Sequence, residues 1–143
     1  MMTNPNLPDL PSALIRVALT DLQVIQKNPA YKIRMSMWHM TIDEDEETIC
    51  QVCLAGAVMA NTLNADITRD ISPNDYSTVD ARKLDALDDF RSGHVGRAFA
   101  VLNIPHLPTI PWYVVIDPYD PDCPSNFIND MSDLANTLEK AGY

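Results

Sequence analysis

The chain has 143 residues, 46% of them hydrophobic and 21% charged, which is the size and apolar content of one domain with a real core and leaves no room for a second. Twenty acidic residues against ten basic give a net charge of -10, and that balance disfavours non-specific attraction to nucleic-acid phosphates or an anionic membrane. No apolar run approaches the ~18 residues of a membrane span, MMTNPNLPDL lacks a leader's basic and apolar regions, and three cysteines make no disulfide framework, so a protein of a reducing cytoplasm is expected.

Residues 1–8 read as a loose polar arm. After Pro11, Leu14, Ala18, Leu22 and Ile25 recur at helical spacing and predict a first helix over 12–27, stopped by Asn28-Pro29. From Tyr31 the period changes to two: Tyr31, Ile33, Met35 and Met37 alternate with Lys32, Arg34 and Ser36, predicting a half-buried strand over 31–38. Trp38 breaks the alternation, as a bulge or as a loop residue capping the core.

Five carboxylates follow in a row, Asp43, Glu44, Asp45, Glu46 and Glu47, directly before Thr48-x-x-Gln51, which has capping-box spacing. This arrangement predicts the N-terminus of a second helix over 48–63. Its sequence is apolar almost all the way round from Ile49 to Ala60, so it is expected at the centre of the fold. Gly56, among Ala55, Ala57 and Ala60, predicts a close backbone approach there.

Residues 64–77 have no period and read as a long irregular connection of the kind that often carries function. Val79, Lys83, Ala86 and Phe90 mark a third helix over 78–91 ended by Gly93, and Val95, Ala98, Phe99 and Leu102 a short fourth. Four prolines between 105 and 118 forbid helix there and leave Trp112 to Ile116 as a β segment able to pair with the strand at 31–38. Ser125 is expected to cap a last helix through Ile128, Met131, Ala135 and Leu138. The fold predicted is one α+β domain over 1–143, mainly α, with about five helices around a central Cys/Ala-rich helix and a small β-sheet.

Cys50-x-x-Cys53 has a suggestive spacing, and Cys123 with His39, His94 or His106 would complete a soft ligand set for zinc. Two thiols one turn apart on an apolar helix read more simply as buried core residues. Cys50 in a helix's first turn, with His39 as base, is the nucleophile alternative, which the adjacent carboxylates oppose by disfavouring a thiolate. Asp85, Asp88 and Asp89 share a helix face, where a solvated surface is the simple reading and a metal or acid/base pair the sharper one. The aspartates at 117, 120 and 122 lack the glycine and glutamate of a calcium loop, so neither catalytic residues nor a cofactor are assigned.

Charge distribution is more informative than any motif. Residues 1–40 hold four basic and two acidic residues, whereas 41–143 hold six basic and eighteen acidic. Clustered carboxylates serve solubility or recognition of a basic groove on another protein, and in the sharper form they imitate phosphates. Asp43, Glu44, Asp45, Glu46 and Glu47 with Asp85, Asp88 and Asp89 are the candidate partner-binding residues.

Trp38, the stretch Cys50-Gln51-Val52-Cys53-Leu54-Ala55-Gly56-Ala57-Val58-Met59-Ala60, and then Leu84-Asp85-Ala86-Leu87 and Phe90-Arg91-Ser92-Gly93 resemble small bacteriophage-encoded proteins of unassigned function. The likeness covers about a third of the chain and brings no catalytic residues. It implies an accessory protein in a bacterial host's cytoplasm that binds a host factor, an inhibitor of a defence system included. Three expectations follow: a non-enzymatic module binding a basic host protein, with homo-oligomers allowed; a cysteine-dependent enzyme or zinc protein using Cys50, Cys53, Cys123 and a histidine; or a virion structural or assembly protein.

Overall fold

The computed structural model describes residues 7–35, 37–105 and 124–143. Helix α1 (Pro11–Gln26) opens with proline in its first turn, where a missing N–H costs nothing, and buries Leu14, Ile15, Ala18, Leu22 and Ile25 along one stripe. Strands β1 (Tyr31–Ile33), β2 (His39–Glu44) and β3 (Glu47–Val52) follow, then α2 (Leu54–Ala60), α3 (Thr78–Arg91), α4 (Val95–Val101) and α5 (Pro124–Lys140). The fold is α+β and mainly α, as the sequence predicts. Among the described residues no helix is long and apolar enough to cross a membrane.

The expected second helix begins six residues late. Residues 48–52 are strand, and Thr48 builds no capping box: its hydroxyl donates across to Asp43 Oδ1 at 3.1 Å. β-branched Thr48, Ile49 and Val52 suit a strand, and hydrogen bonding on both edges of β3 completes the preference. Cys53 caps α2 instead, its Sγ accepting the Gly56 N–H at 3.4 Å. What remains of the predicted helix is seven residues long, with Leu54 through Met59 all buried. It is still central, packing on α1, α3, β2 and β3.

The sheet order is β1-β3-β2, with β1 parallel to β3 (Tyr31↔Cys50, Ile33↔Val52) and β2 antiparallel (His39↔Val52, Thr41↔Cys50). The strand expected over 31–38 is only three residues long. Its chain turns away at Arg34, where the Met37 N–H closes on the Arg34 carbonyl at 3.1 Å, so Met35 reaches the core from a turn and Trp38 from the bend before β2. The described partner of β1 is β3; the segment 112–116 lies outside the described residues. Ser125, expected as a cap, falls inside α5, which starts at Pro124.

Gly56 has a definite reason. A Cβ there would stand 1.7 Å from the Trp38 carbonyl oxygen and 2.9 Å from Val52 Cβ, so the backbone at Trp38 rests directly on α2. Two further contacts fix the frame. Asp21 on α1, 3% exposed, accepts hydrogen bonds from Asn61 Nδ2 at 2.8 Å and the Thr62 hydroxyl at 2.5 Å, tying α1 to the end of α2. Lys83 on α3 donates to the Leu7 carbonyl at 2.6 Å and Asp9 Oδ1 at 2.8 Å. Leu7, assigned to the loose arm by its sequence context, is accordingly held in the core.

Candidate binding surface

The acidic run is a hairpin turn. Asp43 and Glu44 end β2, Glu47 opens β3, and Asp45 and Glu46 are the two turn residues, with φ of 50° and 64°. Left-handed geometry at both central positions is the type I′ turn, whose twist matches that of the flanking strands and which ordinarily recruits Asn-Gly. Asp-Glu is a costly choice at that site: the left-handed region costs a residue with a Cβ about 1–2 kcal/mol. Asp43, Asp45, Glu46 and Glu47 are all exposed. We expect the double substitution D45N/E46G to stabilise the protein by about 1–2 kcal/mol in urea denaturation. An unchanged midpoint would mean that the turn stores no strain.

The helix-three carboxylates are less uniform than their spacing suggests. Asp85 is exposed, whereas Asp88 and Asp89 are half-buried. Asp88 Oδ1 accepts from Arg91 Nε at 3.0 Å and Nη2 at 2.8 Å, so its charge is paired within the helix. Partial burial pushes the Asp85 and Asp89 carboxyls up, with the Asp88 charge adding to the effect at Asp85 and Arg97 opposing it at Asp89. Among the described residues no hydrogen bond or ion pair joins this helix face to the hairpin.

The thiols are interior. Cys50 lies in β3 rather than in the first turn of a helix, and burial pushes its thiol up to about 11, helped by the charge of Asp70. Cys53 is likewise buried and pushed up to about 11. Both are free. The register sets His39 and Cys50 on one face of neighbouring strands, the juxtaposition the nucleophile reading asks for, yet a thiol of that pKa is protonated at neutral pH. Cys123 and His106 lie outside the described residues, and His94 is exposed just before α4.

His39 is 1% exposed, with Tyr31 edge-on at 6.2 Å. Its Nδ1 lies 2.9 Å from the Arg69 carbonyl oxygen, which only accepts, so Nδ1 carries the proton and Nε2 is a bare acceptor. Nε2 has no hydrogen-bond partner among the described residues. Burial pushes the imidazole pKa down despite the Arg69 carbonyl, and the ring is neutral at pH 7.

A groove opens beside this residue. The irregular connection returns to β2 through a single bridge, Ile71 N–H to His39 carbonyl at 2.9 Å, and the Thr41 N–H donates to Asp70 Oδ1 at 2.8 Å. Between the 37–40 and 70–75 segments lies a cavity of about 360 Å³, walled by Met37, Trp38, Met40 and Ile71 and carrying Asp70 and Asp75. The connection 64–77, expected from its sequence to carry function, contains no residue that a local pattern marks, because the groove joins segments some thirty positions apart.

Known proteins offer no guide. No protein family, curated protein or solved structure matches this chain.

Proposed function

We propose that the chain is a non-enzymatic acidic protein-binding module that presents residues 43–47 to a basic surface on a partner protein, with Asp85 and Asp89 as a second acidic patch and Asp88 positioned by Arg91. The observation that carries this is the hairpin tip. Its exposed carboxylates are held on a two-residue turn of fixed geometry instead of being spent on capping a helix, and the turn keeps Asp45 and Glu46 where Asn-Gly would be more stable. Carboxylates fixed in close sequence resemble a short run of phosphates, so the partner class is a protein that handles nucleic acid or acts in host defence, met by a phage accessory protein. Such a surface steers association more than it adds affinity.

The test is capture from bacterial lysate at low ionic strength, followed by association kinetics with whatever basic protein is recovered. We expect the charge-reversed variant D43K/D45K/E46K/E47K to associate at least about tenfold more slowly, and the difference to shrink as salt is raised. Recovery of no basic partner, or equal capture by both proteins, overturns the proposal.

A further inference from the structure

The groove beside β2 has a composition that selects its occupant. Its lining combines soft apolar residues, the half-buried Trp38 with Met37, Met40 and Ile71, with two carboxylates, Asp70 and Asp75. Neither carboxylate is a loosely swinging surface group: Asp70 Oδ1 is pinned by the Thr41 N–H at 2.8 Å and Asp75 Oδ2 by the Ser72 N–H at 2.9 Å. Each has a second oxygen with acceptor capacity. The remaining ionisable wall residue, His39, is buried and neutral, so among the described residues no positive charge lines the cavity. Arg69, adjacent in sequence to Asp70, sets its charge by Asp66 and is absent from the wall.

A groove lined by a tryptophan, two methionines and an isoleucine together with two hydrogen-bonded carboxylates is complementary to a long aliphatic stem ending in a planar cation. The stem gains by burial along methionine and isoleucine, while the head finds both an aromatic face and bidentate acceptors. The volume of about 360 Å³ accommodates one such side chain. The groove is also continuous with the acidic hairpin, because β2 runs from the His39 wall to the turn at Glu44.

We infer that this groove is a socket for a single arginine side chain of the basic partner, the anchoring contact of an interface that the hairpin tip steers into place. The socket deepens the reading of the chain as a binder of basic protein and rests on it for the source of the arginine.

The probe is Nα-acetyl-arginine amide, with Nα-acetyl-citrulline amide as its neutral isostere, titrated into the 143-residue chain and followed by amide chemical shifts. Shifts of residues 37–40 and 70–75 are expected with the arginine probe and at least about tenfold weaker binding with citrulline. D70N/D75N keeps an oxygen to accept the Thr41 and Ser72 N–H groups, so it folds, and it abolishes the discrimination between the two probes. The hairpin variant D43K/D45K/E46K/E47K retains it. Equal response to both probes, or shifts absent from the groove, overturns the socket. If the socket shifts are seen while the unsubstituted protein recovers no basic partner from lysate, or is matched in capture by the hairpin variant, the socket stands and the steering surface falls. Intact capture with a silent groove overturns the socket alone.

Discussion

Replacing Gly56 by alanine is expected to cost about 3 kcal/mol or more of stability. The added carbon meets the Trp38 carbonyl oxygen at 1.7 Å and both Trp38 C and Val52 Cβ at 2.9 Å. None of these is the free end of a flexible side chain. Two are backbone atoms, and the third belongs to a residue hydrogen-bonded into the central strand, so relief requires α2 to lift off the sheet or the Trp38 segment to move outward. Urea denaturation measures the loss. Gly142→Ala is the control: a Cβ there meets nothing within 4 Å, and its φ of +92° charges only the backbone cost of about 1 kcal/mol. Equal losses at the two positions would mean that close approach does not fix α2. The arginine socket should suffer with Gly56→Ala, since the displaced Trp38 is among its lining residues.

Asp21 supplies the second large effect. Truncation to alanine removes both acceptors of Asn61 and Thr62 at a part-buried site and is expected to cost about 2 kcal/mol, read from urea midpoints. Asn at the same position retains an oxygen, and the Thr62 hydroxyl can reverse to accept, so D21N costs less. The pH dependence separates charge from hydrogen bonding. Burial raises the Asp21 carboxyl above 3.8, with Thr62 and Asn61 only partly opposing. The folded state therefore holds this proton more tightly than the unfolded chain. Its contribution to stability is fully present below 3.8 and is lost as pH rises through the raised value. The stability of the wild type relative to D21N must then decline as pH is raised across that interval. Asp9 and Asp66, whose carboxyls are lowered, run the other way in both proteins and cancel in the comparison. A flat difference would show that Asp21 is not taken up as a buried acid.

Helices with a polar face were legible in the sequence, and the buried ones were not. α1, α3 and α4 announce themselves by apolar stripes against outward charges, and by Pro11, Asn28-Pro29 and Gly93 at their ends. In β3 that contrast is missing. Cys50, Gln51 and Val52 are buried in succession, so neither alternation nor a helical stripe distinguishes the segment, and it merged with the apolar residues of α2. The density of β-branched residues at 48–52, directly after a run of charges too long for a cap, was the available signal. The hairpin is hidden for the same reason, because five acids look alike before a helix and on a turn until the two left-handed residues are seen. At the candidate site, sequence located the acidic run and Asp85, and left Asp70, Asp75 and the groove unassigned. These gain meaning only from the bridge between His39 and Ile71.

The mixed sheet has a kinetic consequence. β2 and β3 are neighbours in sequence and close on themselves in the ~1–10 μs typical of a hairpin. β1, earlier in the chain, pairs with β3 alone among the described strands, and that parallel pairing joins residues about twenty positions apart, a less local closure than the hairpin. The acidic turn thus closes the strand pair on which the rest of the sheet builds, and on the proposed reading a substitution there acts on sheet assembly and on the encounter with a partner at once.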